Sequence, residues 1–276
     1  MILRARLRRR LLLACGLVIT GLYLFPLYWM YLSALKPGRD LFIYPPQFLP
    51  HHIVWSVARV FVQHDMATYL GNSCLIASGA TAICILLGTG AARVLARYRS
   101  RLVDVALFAI LMMQVLPSSL MVTPLFVGFS ELGLLQTPRL AVTLAQAAKV
   151  MPFFIVLMRA NLGQIPRELE DAALVDGASR IGAFFRVVLP LARNGIIVTA
   201  ILVFLQSFGE YVYARSMISE NDLQTATVGL AGFLGPNTTD WNGMMTYSAI
   251  YVTPILILFV FLQRRIVSGL TAGALK

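Results

Sequence analysis

Six stretches of apolar residues, each long enough to cross a bilayer, constrain this chain more than any other feature of its sequence. A helix needs about 20 apolar residues to span the hydrocarbon core. Backbone groups in hydrocarbon need internal hydrogen-bond partners, and the stretches lack the alternation of barrel strands. The sequence therefore predicts an all-α membrane protein with six transmembrane helices. The predicted spans are residues 11–35, 69–92, 105–129, 140–158, 195–214 and 244–262, within a single transmembrane domain, residues 1–276.

Basic residues are distributed unequally between the two sides that these spans define. Seventeen of the 23 Lys and Arg residues fall at the N-terminus, in the second and fourth connections, or after the last span. By the positive-inside rule, both termini and the loop of residues 161–193 are expected in the cytoplasm. The net charge of +11 then reflects topology and contact with anionic lipid, and nucleic-acid binding is not indicated.

The sequence offers little for catalysis or for metal binding. Cys15, Cys74 and Cys84 all lie in apolar stretches, which excludes a disulfide framework and CxxC metal spacing. The three histidines are interpreted as solvated residues of the first outward loop. No glycine-rich phosphate loop is present, so the chain is expected to bind neither metal nor ATP and to have no catalytic residue.

One loop contains an unusual concentration of acidic residues, in the stretch Glu168–Leu191. Pro166 suits a first helical position and Gly177 suits the position after a helix, which predicts a short helix from Pro166 to Asp176. Acids in its first turn are favoured by the helix dipole. Three acids would repel the anionic inner leaflet, so a docking element for a cytoplasmic protein is favoured over an interfacial helix.

A second short helix is expected to follow. Ser179 is a candidate N-cap, and Pro190 is expected to end the helix. Phe184, Phe185 and Val188 are expected to pack beneath the spans.

The stretch LEDAALVDGASRIGAFFRVVLP resembles the EAA motif of permease subunits in ATP-binding-cassette (ABC) importers. Asp171 stands in place of the motif's glutamate, and Asn194 stands where many relatives have a second proline. The resemblance implies the type I ABC importer permease fold, in which this coupling helix docks onto an ATPase subunit. The implied docking residues are Glu170, Asp171, Ala172, Ala173, Asp176, Gly177, Ala178, Leu189 and Pro190.

Three further stretches, FPLYWMYLSALKP, YPPQFLP and RRIVSGLTAGALK, resemble the shorter permease of carbohydrate importers of the maltose/trehalose type. By this resemblance the C-terminal tail reaches between the ATPase subunits. The implied contact residues are Gly269, Leu270, Thr271, Ala272 and Gly273. The two glycines and the small residues of GLTAGALK predict a thin, flexible strand.

Polar side chains within the apolar stretches are candidates for lining a solute pathway, because such groups are costly in lipid. Glu210 is the principal candidate, with a structural hydrogen-bonding role as the equal alternative. Lys149 is a candidate for an ion pair with an acid on a neighbouring helix. The other pathway candidates are Gln206, Ser207, Tyr211, Asn72 and Gln114, followed by Ser118, Ser119 and Gln146.

The resemblance implies a permease subunit, not an enzyme, that forms half of the pathway of a binding-protein-dependent sugar importer in a bacterial inner membrane. Its implied partners are a second permease, two copies of an ATPase that binds ATP and Mg²⁺, an external solute-binding protein, and lipid. A di- or oligosaccharide such as trehalose or maltose is the expected solute. Amino sugars and glycerol-phosphate compounds are the alternatives, and a secondary transporter is the alternative mechanism.

Overall fold

The computed structural model describes residues 2–98, 100–235 and 239–271, and the side chains of residues 8–98, 100–235 and 239–263. Within them the only β-structure is an isolated bridge between Leu234 and Thr239. The helices are α1 (Ile2–Ala34), α2 (Val57–Gln63), α3 (Met66–Arg97), α4 (Arg101–Met113), α5 (Ser118–Glu131), α6 (Pro138–Leu162), α7 (Arg167–Val175), α8 (Arg180–Leu191), α9 (Arg193–Phe208), α10 (Val212–Met217), α11 (Ala226–Ala231) and α12 (Trp241–Thr271).

Among the residues that the structure describes, four helical segments are long and apolar enough to cross a membrane on their own: Arg8–Ala34, Met66–Arg97, Pro138–Leu162 and Trp241–Gln263. Two bent pairs raise the total to six when each pair counts as one span. In the first pair α4 and α5 meet at 97°, and in the second α8 and α9 meet at 74°. The chain is therefore an all-α membrane protein, and its described part forms up to six spans.

The prediction of continuous helices through residues 105–129 and 195–214 is wrong. The third apolar stretch breaks between Met113 and Ser118, where Pro117 is extended and disfavours helix in the residue before it. In the fifth stretch, α9 ends at Phe208, and α10 starts only at Val212. Hydropathy indicates that these residues can lie in lipid or in a protein interior, but it does not show where a helix ends.

The chain divides into two compact units. Unit 1 comprises residues 1–66 and 230–254. Asn242 is its main polar connection, because its Nδ2 atom donates to the carbonyls of Ala34 (3.1 Å) and Lys36 (2.6 Å), and its Oδ1 atom accepts from Ser56 Oγ (2.5 Å). These bonds join the end of α1, the loop before α2 and the start of α12.

Unit 2 comprises residues 67–229 and 255–276 and contains both breaks as well as α7. Within it α3 packs along α6, at a π-helical turn of α3, Cys84–Gly88. A Cβ atom on Gly88 would lie 2.5 Å from Phe154 Cδ1, so this approach requires glycine. The core around the contact includes Cys84, Val150, Phe154, Met158, Leu162 and Val188. That residues 1–276 form one domain stays a prediction.

Candidate functional site

The short helix α7 has a well-formed C-terminal cap. Gly177 has φ of +86°, the left-handed conformation expected of it. The Gly177 amide donates to the Leu174 carbonyl (3.1 Å) and the Ala178 amide to the Ala173 carbonyl (2.9 Å). This pair of bonds is a Schellman motif, which satisfies carbonyls that the helix end would otherwise leave free. The helix extends over Arg167–Val175, so Pro166 and Asp176 flank it instead of lying inside it.

Glu170 joins α7 to the end of α3. One carboxylate oxygen pairs with Arg93 Nη2 and the other with Arg97 Nη2 (2.8 Å). The side chains of Glu170, Arg93 and Arg97 are only 13%, 20% and 16% exposed. We call these three residues the clamp.

Other contacts reinforce this attachment. The Arg167 Nη2 atom donates to the Arg97 carbonyl (2.7 Å), and Arg93 Nη2 donates to the Arg180 carbonyl (3.1 Å). The Arg93 guanidinium also lies 4.6 Å from the centre of the Phe184 ring. A cavity of about 450 Å³ borders the clamp, lined in part by Arg167, Asp171 and Arg180. The clamp thus ties three segments together: the end of α3, α7 and the start of α8.

Much of the surface of α7 outside the clamp is exposed. Leu169 is 45% exposed and Val175 is 87% exposed, and Asp171, Ala172 and Asp176 are exposed beside them. Two other residues of the predicted docking set, Ala173 and Ala178, are half-buried. An exposed face that combines apolar, small and acidic residues on a rigid support is suited to docking against another protein.

The segment after α7 departs from the prediction in two places. Ser179 caps α8 as expected, accepting from the Gly182 amide (3.0 Å), and Phe184 and Val188 are buried. Phe185, however, is 59% exposed. Pro190 is exposed and lies inside the last turn of α8, which ends one residue later at Leu191. A proline is tolerated there because it stands at the start of the new α-helical turn that follows the π-helical segment, where its missing N–H costs no hydrogen bond. Leu189 is half-buried against the core.

A second polar region lies around the two helix breaks in unit 2. Gln114, which follows α4, donates from Nε2 to the Lys149 carbonyl of α6 (3.2 Å). The Lys149 ammonium lies 5.8 Å from the centre of the Tyr213 ring in α10. Gln114 and Lys149 are exposed, whereas Tyr213 is buried. Lys149 therefore lies between the two breaks.

Glu210 occupies the second break and is buried. Its Oε1 atom accepts from the amides of Val212 (2.9 Å) and Tyr213 (3.2 Å), and its Oε2 atom accepts from the Tyr213 amide (3.0 Å). The side chain thus satisfies the first free amides of α10, which have no partner within that helix. This geometry favours the structural alternative for Glu210.

The other predicted pathway residues divide by exposure. Gln206 and Tyr211 are exposed, whereas Ser207 is buried and donates to Gln146 Oε1. Asn72 is buried, and its Nδ2 atom donates to the carbonyls of Asp222 and Gln224, both at 2.9 Å. Ser207 and Asn72 therefore hold segments of unit 2 together, and the structure does not bring all six candidates to one surface.

The predicted tail is only partly described. Helix α12 continues to Thr271, so the backbone of Gly269, Leu270 and Thr271 is helical and the expected thin strand is wrong there. Ala272 and Gly273 lie outside the described residues. The last helix therefore extends beyond the predicted span of residues 244–262.

Sequence reasoning missed the role of Arg93 and Arg97, which it counted only as positive charges. Their spacing of four residues at the end of an apolar helix places them on one face, and that spacing is the available signal. Among the residues that the structure describes, no group of three or more His, Cys, Asp or Glu could hold a metal ion.

A family model described as binding-protein-dependent transport system inner membrane component matches residues 84–272. The diacetylchitobiose uptake system permease of Streptomyces coelicolor is 32% identical over 91% of each chain. The sulfoquinovosyl glycerol transport system permease of Agrobacterium fabrum is 32% identical, over 97% of this chain and 93% of the relative. The trehalose/maltose transport system permease of Thermococcus litoralis is 31% identical over 99% of each chain.

The fold also matches a solved structure, a bacterial ABC transporter involved in the import of the acidic polysaccharide alginate. The TM-score is 0.76 at 19% identity, over 94% of this chain and 96% of that one. This likeness establishes the type I importer permease fold. The chain belongs to the family of binding-protein-dependent transport system inner membrane components, as a multi-pass inner-membrane transport subunit and not an enzyme.

Proposed function

We propose that the chain forms half of the translocation pathway of an ATP-driven sugar importer, and that α7 couples it to the ATPase. The observation that supports this proposal is the clamp, which joins a short helix with an exposed acidic face to the end of a membrane-crossing helix. A force on α7 would be transmitted to α3 through two ion pairs and not through a flexible loop. A rigid connection of this kind is what alternating access requires of a docking helix.

The docking face would consist of Asp171, Ala172 and Asp176 with the exposed apolar residues Leu169 and Val175. Small side chains permit close approach, and exposed apolar groups gain from burial in a partner. Glu170 would contribute indirectly, because its carboxylate is already bound by Arg93 and Arg97. The C-terminal tail, residues 269–273, is proposed as a second ATPase contact.

Permeases of ABC importers act with a second permease, an ATPase and a periplasmic binding protein. For this chain we propose a heterodimer of permeases and two ATPase copies, which bind the ATP and Mg²⁺. The excess of basic residues on one side of the spans supports a cytoplasmic location for both termini and for α7.

The solute is proposed to be a di- or oligosaccharide or a sugar derivative of similar size. Relatives of the chain carry the names of trehalose, maltose, diacetylchitobiose and sulfoquinovosyl glycerol systems. Trehalose or maltose remains the expected neutral solute, and amino sugars and glycerol-phosphate compounds remain the alternatives.

The test is reconstitution of both permeases, the ATPase and the binding protein in proteoliposomes. Sugar uptake is expected to require ATP and the binding protein, and binding protein with sugar should stimulate ATP hydrolysis. Uptake driven by an ion gradient without ATPase would instead establish a secondary transporter.

Coupling through α7 is tested in the same system by Gly177→Val. A β-branched residue at φ of +86° should cost roughly 1 kcal/mol or more and distort the cap. Uptake and stimulated ATP hydrolysis should both fall while the complex still assembles. Gly177→Asn should be tolerated, and Gly133→Val is the matched control, since Gly133 also has positive φ (+70°) and open surroundings. Equal behaviour of Gly177→Val and Gly133→Val would contradict the coupling role.

A further inference from the structure

Lys149 carries a positive charge in the interior of a membrane-crossing helix. It is the twelfth of the 25 residues of α6, and its side chain is exposed. A lysine at the centre of a transmembrane helix costs about 2.5–3.5 kcal/mol on insertion scales when it faces lipid. The exposed ammonium is therefore expected to face a water-filled space or another protein chain.

The neighbours of Lys149 come from both helix breaks. Its carbonyl accepts from Gln114 at the first break, and its ammonium lies near Tyr213, whose amide binds Glu210 in the second break. Non-helical backbone at membrane depth is tolerated only where it is buried in protein or lines a cavity. Interrupted helices in transporters form solute sites near the middle of the bilayer. Lys149 thus lies where such a site would be expected.

No acid of the described part of the chain forms an ion pair with this lysine. The ion pairs among those residues are Arg39–Asp40, Arg59–Asp240, and the two pairs of the clamp. The nearby Glu210 carboxylate is occupied by backbone amides. The ring of Tyr213 lies 5.8 Å from the ammonium, close to the roughly 6 Å limit of a cation–π contact, so it compensates the charge only weakly. The three ammonium donors remain available to a solute.

We infer that Lys149 contacts the transported solute and that this solute is a sugar bearing an anionic group, such as a carboxylate, a sulfonate or a phosphate. The inference rests on the proposed function and, within its substrate class, selects a charged sugar derivative over neutral trehalose or maltose. An uncompensated cation favours an anion over a neutral hydroxyl, because a charge-assisted hydrogen bond is roughly twice as strong as a neutral one. Gln114 and Tyr211, both exposed near the breaks, offer polar groups for the sugar hydroxyls.

The first experiment measures ATP-dependent uptake by the reconstituted importer with its binding protein. An anionic panel contains sulfoquinovosyl glycerol, a uronic-acid disaccharide and a sugar phosphate, and a neutral panel contains trehalose, maltose and diacetylchitobiose. The inference expects at least a tenfold preference for a member of the anionic panel. Preference for a neutral sugar overturns the inference and leaves the proposed function intact. If no sugar of either panel is taken up, both the inference and the proposed function are overturned.

The second experiment tests whether uptake of an anionic sugar depends on the positive charge of Lys149. Lys149→Met should lower uptake of the preferred anionic sugar at least tenfold, whereas Lys149→Arg should retain most of it. Arg139→Met is the matched control, because it removes one positive charge from the same helix about 15 Å away. An unchanged uptake in Lys149→Met would overturn the inference. Loss of the assembled permease pair in Lys149→Met would also overturn it, because the lysine would then be paired with an acid of the second permease.

Discussion

The clamp and the helix breaks are two polar regions of unit 2 that handle charge in opposite ways. In the clamp, one carboxylate is shared by Arg93 and Arg97, and all three side chains are mostly buried. At the breaks, the carboxylate of Glu210 is bound by backbone amides while Lys149 stays exposed. In the clamp the charged side chains are ion-paired with one another, whereas the ammonium at the breaks has no ion-pair partner among the residues that the structure describes.

This difference indicates different functions. Ion-paired side chains on separate segments resist relative movement, since separating them would leave partly buried charges without partners. A lone cation beside irregular backbone contributes little to rigidity and is suited to ligand recognition. The clamp is therefore interpreted as a mechanical connection and the break region as a solute contact.

The largest expected effect comes from breaking the clamp with Glu170→Gln. The change leaves Arg93 and Arg97 close together without an acid. Loss of one partner of a well-buried ion pair costs about 3–5 kcal/mol, and we expect about 2 kcal/mol here because the side chains retain some exposure. Hydrogen exchange of the α7 amides should accelerate, and uptake by the assembled importer should fall at least about tenfold, since a factor of ten corresponds to about 1.4 kcal/mol.

Glu168→Gln is the matched control for the clamp. Glu168 is an exposed acid on the same helix, and the described structure assigns its carboxylate to no ion pair. We expect near-normal exchange and uptake for this variant. Equal losses in the two variants would show that α7 needs its net negative charge and not its attachment to α3.

A smaller effect is expected at the second break. In Glu210→Gln the side chain keeps one acceptor oxygen for the amides of Val212 and Tyr213 and loses its charge. The loss of charge-assisted bonds should lower the thermal stability of the assembled complex, by about 1 kcal/mol. Uptake per assembled complex should stay within about twofold of the normal value.

Glu131→Gln, a change in an exposed acid at the end of α5, is the control and should affect neither quantity. The opposite pattern at Glu210, with normal stability and lost uptake, would place this residue on the solute pathway. In that case the carboxylate at the breaks would serve transport, and it would no longer resemble the carboxylate of the clamp in having a structural role.

The two regions also differ in how far the sequence reveals them. The cap at Gly177 and the start of α8 at Ser179 depend on neighbouring residues only, so their local signals were sufficient. The clamp joins Arg93 to Glu170 across 77 residues, and no local pattern specifies that partner. The sequence therefore predicted the docking helix but not its attachment.

The breaks were missed for a different reason. The predicted spans rested on mean hydropathy, which stays high through Leu116 and Phe208 although the backbone turns there. Pro117 and Gly209 are the residues that carried the signal, since proline and glycine are the common interruptions of helices. Glu210 was identified as unusual, but only the structure shows that its carboxylate binds the backbone beside it.

Unit 1 contains a third kind of environment for an ionisable group, in which burial disfavours the charged form of a histidine. His64 follows α2, and its ring centre lies 4.1 Å from that of Phe233. Burial lowers the pKa of His64 below its usual 6.5, and Arg59 lowers it further, whereas Asp240 and Asp65 act in the opposite direction. The folded state thus prefers neutral histidine. Its contribution to stability is complete above pH 6.5 and is lost as the pH falls through 6.5 towards the lower pKa of the folded state.

The smallest of the three effects is therefore a loss of local stability in unit 1 on acidification. Hydrogen exchange of the α2 amides, corrected for the intrinsic rate, should show more frequent opening at pH 5 than at pH 8. His64→Gln should flatten this dependence because no proton is taken up on opening, whereas His51→Gln, a change in an exposed loop histidine, should not. The α7 amides provide a reference from unit 2. An undiminished pH dependence in His64→Gln would show that another group of unit 1, and not the burial of His64, controls the opening.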